Sequence, residues 1–327
     1  MKASLRPTRT TEFHQANQIQ ALDLTPLAIY TRYRGHPQLC QEDHQRLFRY
    51  ELMSTVKADG VCSTINDQNG VIAACAIKPL DWDTQHFGLP MARMSLAAAP
   101  TCPPSALSNL LRDTINKMRQ ETSILHTSCE VDIDDYLCLN ALLGLGAEIL
   151  DIKREYRWRS LKGIKPPKFL SLVREYREDD RSQCLALMAG VYFESRFSRD
   201  ISLPEAKTTR LYEIWLEKIL NNTERGRIAL VMEKGCRVQA CGAIERHDLS
   251  YAGISAQIMG NGIYLSSRKA TGCYYPIIYS LAERSLSQFK SAQTCVSLNN
   301  RAATRVLERM NAGTSSTRYA LRLFFPS

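Results

Sequence analysis

The sequence predicts an α+β protein built twice over, each half a mostly antiparallel central sheet flanked by helices. Three observations carry this. A stretch rich in proline and lysine breaks the chain near its middle, similar strand and helix patterns run in the same order on either side, and two segments align across the break at one constant offset.

The elements follow in order. After helical patterns near the start, VCSTINDQNGVIAACAI alternates apolar and polar positions around Asn69-Gly70, which predicts a hairpin with a tight turn. SALSNLLRDTINKMRQ then places apolar residues three and four apart, the stripe of an amphipathic helix. CEVDIDDYLCLNALLGLGAEI, from Cys129, reads as a short strand, Asp135 at a helix N-cap, and a helix running into a glycine-containing stop. A further strand, YRWRSL, follows. LKGIKPPKF (Leu161 to Phe169) holds two adjacent prolines and three lysines and can continue neither a helix nor a central strand.

Beyond the break the order repeats. RIALVMEKGCRVQACGAIERHD is a hairpin around Lys234-Gly235, and YYPIIYSLAERSLSQF is the matching helix. CVSLNNRAATRVLERMNAGTS, from Cys295, is the second strand and capped helix, with YALRLF as its closing strand. One offset pairs Val131 with Val296, Asp135 with Asn300, Leu142 with Leu307 and Ala147 with Ala312. The reading is duplication, although two unrelated α+β domains could share the order. The division expected is 1–161, a linker at 162–168, and 169–327.

Composition narrows the function classes. At 327 residues and 44% hydrophobic content the chain can supply a core for each of two domains. It has neither an apolar run of membrane-spanning length nor an apolar stretch behind MKASLRPTRTTEFHQ, so a soluble, cytoplasmic protein with no membrane partner is expected. Eleven cysteines, odd in number and scattered without a C-x-x-C pair, read as buried thiols. No C-x-x-C pair is present to grip zinc, so no metal is expected. The formal charge of +9 is spread along the chain without a basic arm, which favours an anionic small molecule over nucleic acid as partner.

The order helix, hairpin, long strand, helix, strand, Asn-capped helix, strand resembles the GNAT acyltransferase fold, in two tandem copies. In that fold the residues between the long strand and its helix cradle the pyrophosphate of coenzyme A. Here they read GIYLSSRKATGCYYPIIY. The resemblance implies a cofactor site at Tyr264, Leu265, Arg268, Lys269, Ala270, Thr271, Gly272, Cys273 and Tyr274. KATGCY departs from the usual pattern, because Lys269 takes the Gln or Arg position and Tyr274 stands where a small residue is usual. The physical requirement is a tight strand-to-helix turn that points backbone N–H groups at an anion, with Arg268 and Lys269 strengthening the field. A basic solvated turn is the plainer alternative.

Asn300 and Ala303, within NNRAATRVLERMNA, resemble the family's helix that lies against coenzyme A; a simple helix cap also accounts for Asn300. Four residues on, many members carry a tyrosine that protonates the departing thiolate, and this chain has Leu307. Tyr319, Tyr264 or water would have to substitute. ESRFSRD with LYEIWLEKIL, and LDWDTQHFG in the first half, resemble signatures of sugar-nucleotide amine acyltransferases of the dTDP-fucosamine acetyltransferase family, which pair a degenerate first domain with a catalytic second one. The first half's MARMSLAAAPTCPPSAL has two prolines where basic and glycine residues are needed, so it is expected to bind no coenzyme A. LDWDTQHFG then reads as a corner facing the other domain, with Trp82 and Phe87 packing and Asp83 fixing the turn; substrate contact from Asp83 or His86 is the sharper alternative.

The implied chemistry is transfer of an acetyl group from acetyl-CoA to a primary amine. It needs a deprotonated amine, a polarised carbonyl and a protonated leaving group. The N–H of Tyr264 or Leu265 would polarise the carbonyl. Glu245, His247 and Asp248, at the end of the preceding strand, and Glu194 are the candidate bases, His247 because an unperturbed imidazole titrates at roughly 6.5. Glu245 and His247, with Asp248, also read as a polar turn after an apolar strand. Arg196 and Arg199, with Glu194 beside them, could meet a nucleotide-sugar diphosphate; the plainer alternative is that Arg196 pairs with Asp200 or Glu194 to hold the loop. Tyr212 and Trp215, at helical spacing, read as core. The partner expected is a small-molecule amine, with a dTDP-amino sugar favoured over an antibiotic, polyamine or peptide; a homodimer is left open. A non-catalytic pseudo-acyltransferase, motivated by Leu307 and Tyr274, is the alternative of a different class.

Overall fold

The computed structural model describes residues 10–68, 70–189, 191, 193–221, 226–267 and 272–325. Asn69 of the expected Asn-Gly turn, and Arg268, Lys269, Ala270 and Thr271 of the expected phosphate loop, lie outside the described residues. In chain order the elements are β1 (Glu12–Phe13), α1 (Ala16–Gln20), α2 (Gln41–Val56), β2 (Val61–Asp67), β3 (Gly70–Pro79), α3 (Asp81–Phe87), β4 (Met91–Ala98), α4 (Pro104–Glu121), β5 (His126–Asp132), α5 (Tyr136–Gly144) and β6 (Glu148–Trp158). There follow β7 (Val173–Glu175), α6 (Arg181–Ala186), α7 (Arg196–Arg199), α8 (Glu205–Asn221), β8 (Arg227–Lys234), β9 (Arg237–Asp248), β10 (Gln257–Ser266), α9 (Tyr274–Gln288), β11 (Ala292–Ser297), α10 (Arg301–Arg309) and β12 (Gly313–Phe324). Among the described residues no helix is long and apolar enough to cross a membrane.

The chain forms two compact units. One comprises residues 1–34, 39–150 and 318–327, the other residues 35–38 and 151–317. In the first, strands run in the order β1-β2-β3-β4-β5-β12. β3 is buried on both faces: Ala73, Cys75 and Ile77 meet α4 residues such as Leu107 and Leu111, while Ala74 and Ala76 meet Phe48 and Leu52 of α2. That explains its nearly continuous apolar run. β4 and β5 are parallel over only the four pairs from Met91↔His126 to Met94↔Cys129, and the other pairings are antiparallel.

The corner expected at LDWDTQHFG is instead the short helix α3, stopped by Gly88 in the left-handed conformation. Phe87 is buried at 3% exposure, as a packing role requires, but Trp82 is 47% exposed and stacks on His86 with ring centroids 4.8 Å apart. The cysteines are free thiols, most of them buried.

In the second unit β7, β8, β9 and β10 form an antiparallel sheet with β10 at its edge. One face packs on α6 and α8 through Cys184, Leu216 and Ile219; the other packs on α9 through Ile277 and Leu281. β11 lies beside β10 but is paired with β6. The expected linker 162–168 lies inside this unit, where Leu161 and Ile164 pack against Trp158 and Ile278.

The two closing strands are exchanged. β6 follows the first capped helix yet pairs with β11, and β12 follows the second yet pairs with β5. The registers match: Val131 faces Tyr319 and Val296 faces Arg154, and the offset from Val131 to Val296 is also that from Arg154 to Tyr319. The similar patterns of the two halves make either strand a fitting partner for either neighbour, which is the condition for swapping.

Candidate active site

The site is built in the second unit where β10 ends. Ser267 donates its N–H to the Gln239 carbonyl at 2.8 Å, directly across the β9–β10 ladder. Antiparallel pairing alternates, so Leu265 and Ile263 also turn their backbone groups to β9, whereas Tyr264 and Ser266 turn theirs to the open edge. Of the two N–H groups expected to polarise a carbonyl, that of Tyr264 therefore faces away from the ladder and that of Leu265 faces into it. Upstream, the register shifts by one residue between Met259 and Gly262, a bulge that increases local twist.

After β10 the chain turns at Gly272, whose φ of +84° suits a residue without a side chain. α9 starts two residues later, and its N-cap residue Cys273 makes no side-chain cap hydrogen bond. Pro276 has no N–H to offer, which leaves those of Tyr274 and Tyr275 in the first turn facing outward. α10 is held by Asn300, whose Oδ1 accepts the Ala303 N–H at 3.1 Å. Its counterpart in the first unit, Asp135, accepts the Cys138 N–H at the same distance.

These parts line one cleft of about 850 Å³. Its walls include Tyr264, Leu265 and Ser266, Gly272, Tyr274 and Tyr275, Asn300, Ala303, Arg305 and Arg309, the segment Lys165–Phe169, and Val191, Phe193 and Glu194. Lys165, Lys168, Arg305 and Arg309 face a single acid, Glu194, among the described lining residues. The described lining is thus net basic. Tyr275 donates its hydroxyl to the Lys165 carbonyl at 3.0 Å, and the Arg309 guanidinium lies 5.3 Å from the Tyr275 ring centroid.

Burial pushes the Tyr264 phenol up to about 12, with the nearby Thr294 hydroxyl drawing it partly back. It keeps its proton at any cellular pH. The Tyr274 phenol is raised further by burial and by Tyr264, whose ring meets it edge-on at 6.5 Å. The Tyr274 ring lies against that inner neighbour, and Gly272 remains on the cleft wall.

A smaller chamber of about 290 Å³ adjoins the cleft and shares Val191 and Phe193 with it. Phe193 stacks on Tyr212 at 4.2 Å, and Phe197, Ile201 and Leu203 add apolar wall. Asp200 and Glu205 also line it, with no Lys or Arg among the described lining residues. The buried Thr208 hydroxyl there has no hydrogen-bond partner among the described residues. Arg199 pairs with Glu194 at 3.1 Å, and the Arg196 guanidinium lies 4.6 Å from the Phe197 ring centroid.

The cleft thus gathers Tyr264, Leu265, Gly272, Tyr274, Asn300, Ala303 and Glu194 from the residues singled out in the sequence, with Cys273 buried behind the wall. Burial raises the Cys273 thiol, and Lys234 draws it part of the way back. Glu245 and His247 stand on β9 outside the lining, His247 with its ring against Gly260. Arg196 and Arg199 lie on α7 beside the chamber without lining it. Tyr319 packs against the core of the first unit. Leu307, at 1% exposure, faces Tyr156 and Trp158 in the core. Sequence reasoning missed Lys165, Lys168 and Phe169, hidden in a stretch read as a linker, and Arg305 and Arg309, whose four-residue spacing after an N-cap was the available signal.

Comparison with solved structures shows the fold. A GCN5-related N-acetyltransferase from Sphaerobacter thermophilus superposes with a TM-score of 0.55 at 9% identity, covering 81% of each chain. A tandem GNAT protein from the clavulanic acid biosynthesis pathway matches 98% of this chain and 100% of its own at a TM-score of 0.51 and 12% identity. A functionally unknown conserved protein from Staphylococcus epidermidis matches 77% of this chain and 91% of its own, with a TM-score of 0.50 and 9% identity. No protein-family profile matches the sequence, and no curated protein matches it. The architecture is therefore that of tandem GNAT-like domains, each with a mostly antiparallel sheet flanked by helices.

Proposed function

We propose that the second unit is an acyl-CoA-dependent N-acyltransferase that moves an acetyl group to a primary amine. One observation carries the reading: a single cleft joins the open edge of β10 to two helix N-termini under a rim of Lys165, Lys168, Arg305 and Arg309. That arrangement suits a long ligand with a diphosphate at one end and an amide-rich arm at the other.

In this reading Gly272 and the first N–H groups of α9 hold the diphosphate, and the arm lies against the free edge of β10. The Tyr264 N–H donates to the thioester oxygen and stabilises the charge that gathers there as the amine attacks. The carbon–nitrogen bond forms, the carbon–sulfur bond breaks, and the amine's proton leaves to Glu194 or solvent. The Tyr264 hydroxyl, protonated throughout, donates a hydrogen bond to the departing thiolate in the role that Leu307 cannot fill.

The acceptor is proposed to be a nucleotide-linked amino sugar. The small chamber, lined by Asp200 and Glu205 with no Lys or Arg among its described lining residues, suits an amine-bearing ring, and Arg196 and Arg199 beside it suit a diphosphate. The buried Leu307 favours a second reading, in which the chain binds acyl-CoA and transfers nothing.

Calorimetric titration with acetyl-CoA, followed by thiol release with dTDP-4-amino-4,6-dideoxygalactose and with polyamines, separates these readings. The expected result is micromolar binding and thiol release with the sugar nucleotide, with turnover at least tenfold slower in Tyr264→Phe. Binding without release from any amine selects the second reading. No binding at all removes both.

A further inference from the structure

The segment Lys165–Phe169, which in sequence reads as a spacer, forms one wall of the cleft. It is firmly seated. Leu161, Ile164 and Leu170 pack against a core that includes Trp158 and Ile278, Pro167 is buried, and the Lys165 carbonyl accepts the Tyr275 hydroxyl. On this anchored segment Phe169 is anomalous twice over. Its backbone is left-handed, with φ +67° and ψ +15°, a conformation unfavourable for a bulky side chain. Its ring is also 47% exposed on the cleft wall, where core packing does not account for it. The Lys234 ammonium lies 5.9 Å from the ring centroid, and Lys234 is also the cation that acts on Cys273, beside the Gly272 turn. Strained backbone persists where surrounding structure enforces it, and such sites cluster at ligand clamps.

We propose that Phe169 is a stacking platform for a purine, with Lys165 and Lys168 beside it to hold a phosphate. Resting on the acyl-CoA reading, this assigns the adenine of coenzyme A to the Phe169 ring and its 3′-phosphate to the two lysines, with Arg305 and Arg309 on the same cleft. An exposed aromatic held on a stiff segment loses little freedom when a base stacks on it.

The test titrates the full chain with coenzyme A, 3′-dephospho-coenzyme A and 4′-phosphopantetheine. Phe169→Ala is expected to weaken both adenine-bearing ligands about tenfold and to leave 4′-phosphopantetheine unchanged. Phe169→Trp should restore them. The double variant Lys165→Ala/Lys168→Ala should weaken coenzyme A while sparing the dephospho form. Wild-type protein that binds coenzyme A, with Phe169→Ala binding it equally well or losing all three ligands alike, overturns the assignment and leaves the acyl-CoA reading standing. Failure of the wild-type chain to bind coenzyme A overturns both.

Discussion

Gly260 and Gly262 flank the bulge in β10, and what surrounds each differs in kind. A Cβ on Gly262 would lie 2.0 Å from the Ala243 carbonyl oxygen, part of a backbone that cannot yield without opening the β9–β10 ladder. A Cβ on Gly260 would lie 2.2 Å from the His247 ring, which can turn aside. Gly262→Ala is therefore expected to cost about 2–4 kcal/mol, and Gly260→Ala about 1 kcal/mol. Urea unfolding of both variants checks the order, and equal losses would mean that the ladder gives way as easily as a side chain. Because the ladder also fixes which way the Tyr264 N–H points, Gly262→Ala should lower acyl transfer beyond its effect on stability.

At the scale of elements, α5 and α10 are a matched pair whose caps differ only in what else the helix does. Asp135 and Asn300 each accept an N–H three residues on, and only α10 lines the cleft. Replacing either with alanine should cost about 1 kcal/mol. Asn300→Ala should in addition weaken acetyl-CoA binding several-fold, since a frayed first turn displaces the wall that carries Arg305; Asp135→Ala should leave it unchanged. Thermal melts paired with titration read both effects, and an affinity loss in Asp135→Ala would undo the distinction. These helices were legible in sequence because cap, apolar spacing and stop agree within a dozen residues. The wall at Lys165–Phe169 was not, because prolines and lysines exclude a helix or central strand without saying what the segment lies against. The chamber was also hidden, since Phe193 and Tyr212 meet only after the chain folds back.

At the scale of the whole molecule, the exchange of β6 and β12 was beyond the sequence for a definite reason. Alternation fixes which face of a strand is buried and leaves its partner open when two strands carry similar patterns. The consequence is that the first unit, residues 1–34 and 39–150, is completed by residues from the far end of the chain. Arg318 to Phe324 pair along β5, and Leu321 and Leu323 are buried in the core that holds Leu107 and Leu111. Burying two such side chains contributes about 3–6 kcal/mol, comparable to the 5–15 kcal/mol that holds a typical domain together. A chain ending at Thr317 is therefore expected to lose the first unit's cooperative unfolding, with the amides of His126–Asp132 exchanging rapidly while those of β8 and β9 stay protected. Hydrogen exchange resolved by segment makes the comparison. Undiminished protection in β5 would mean that this unit closes without the strand the fold lends it.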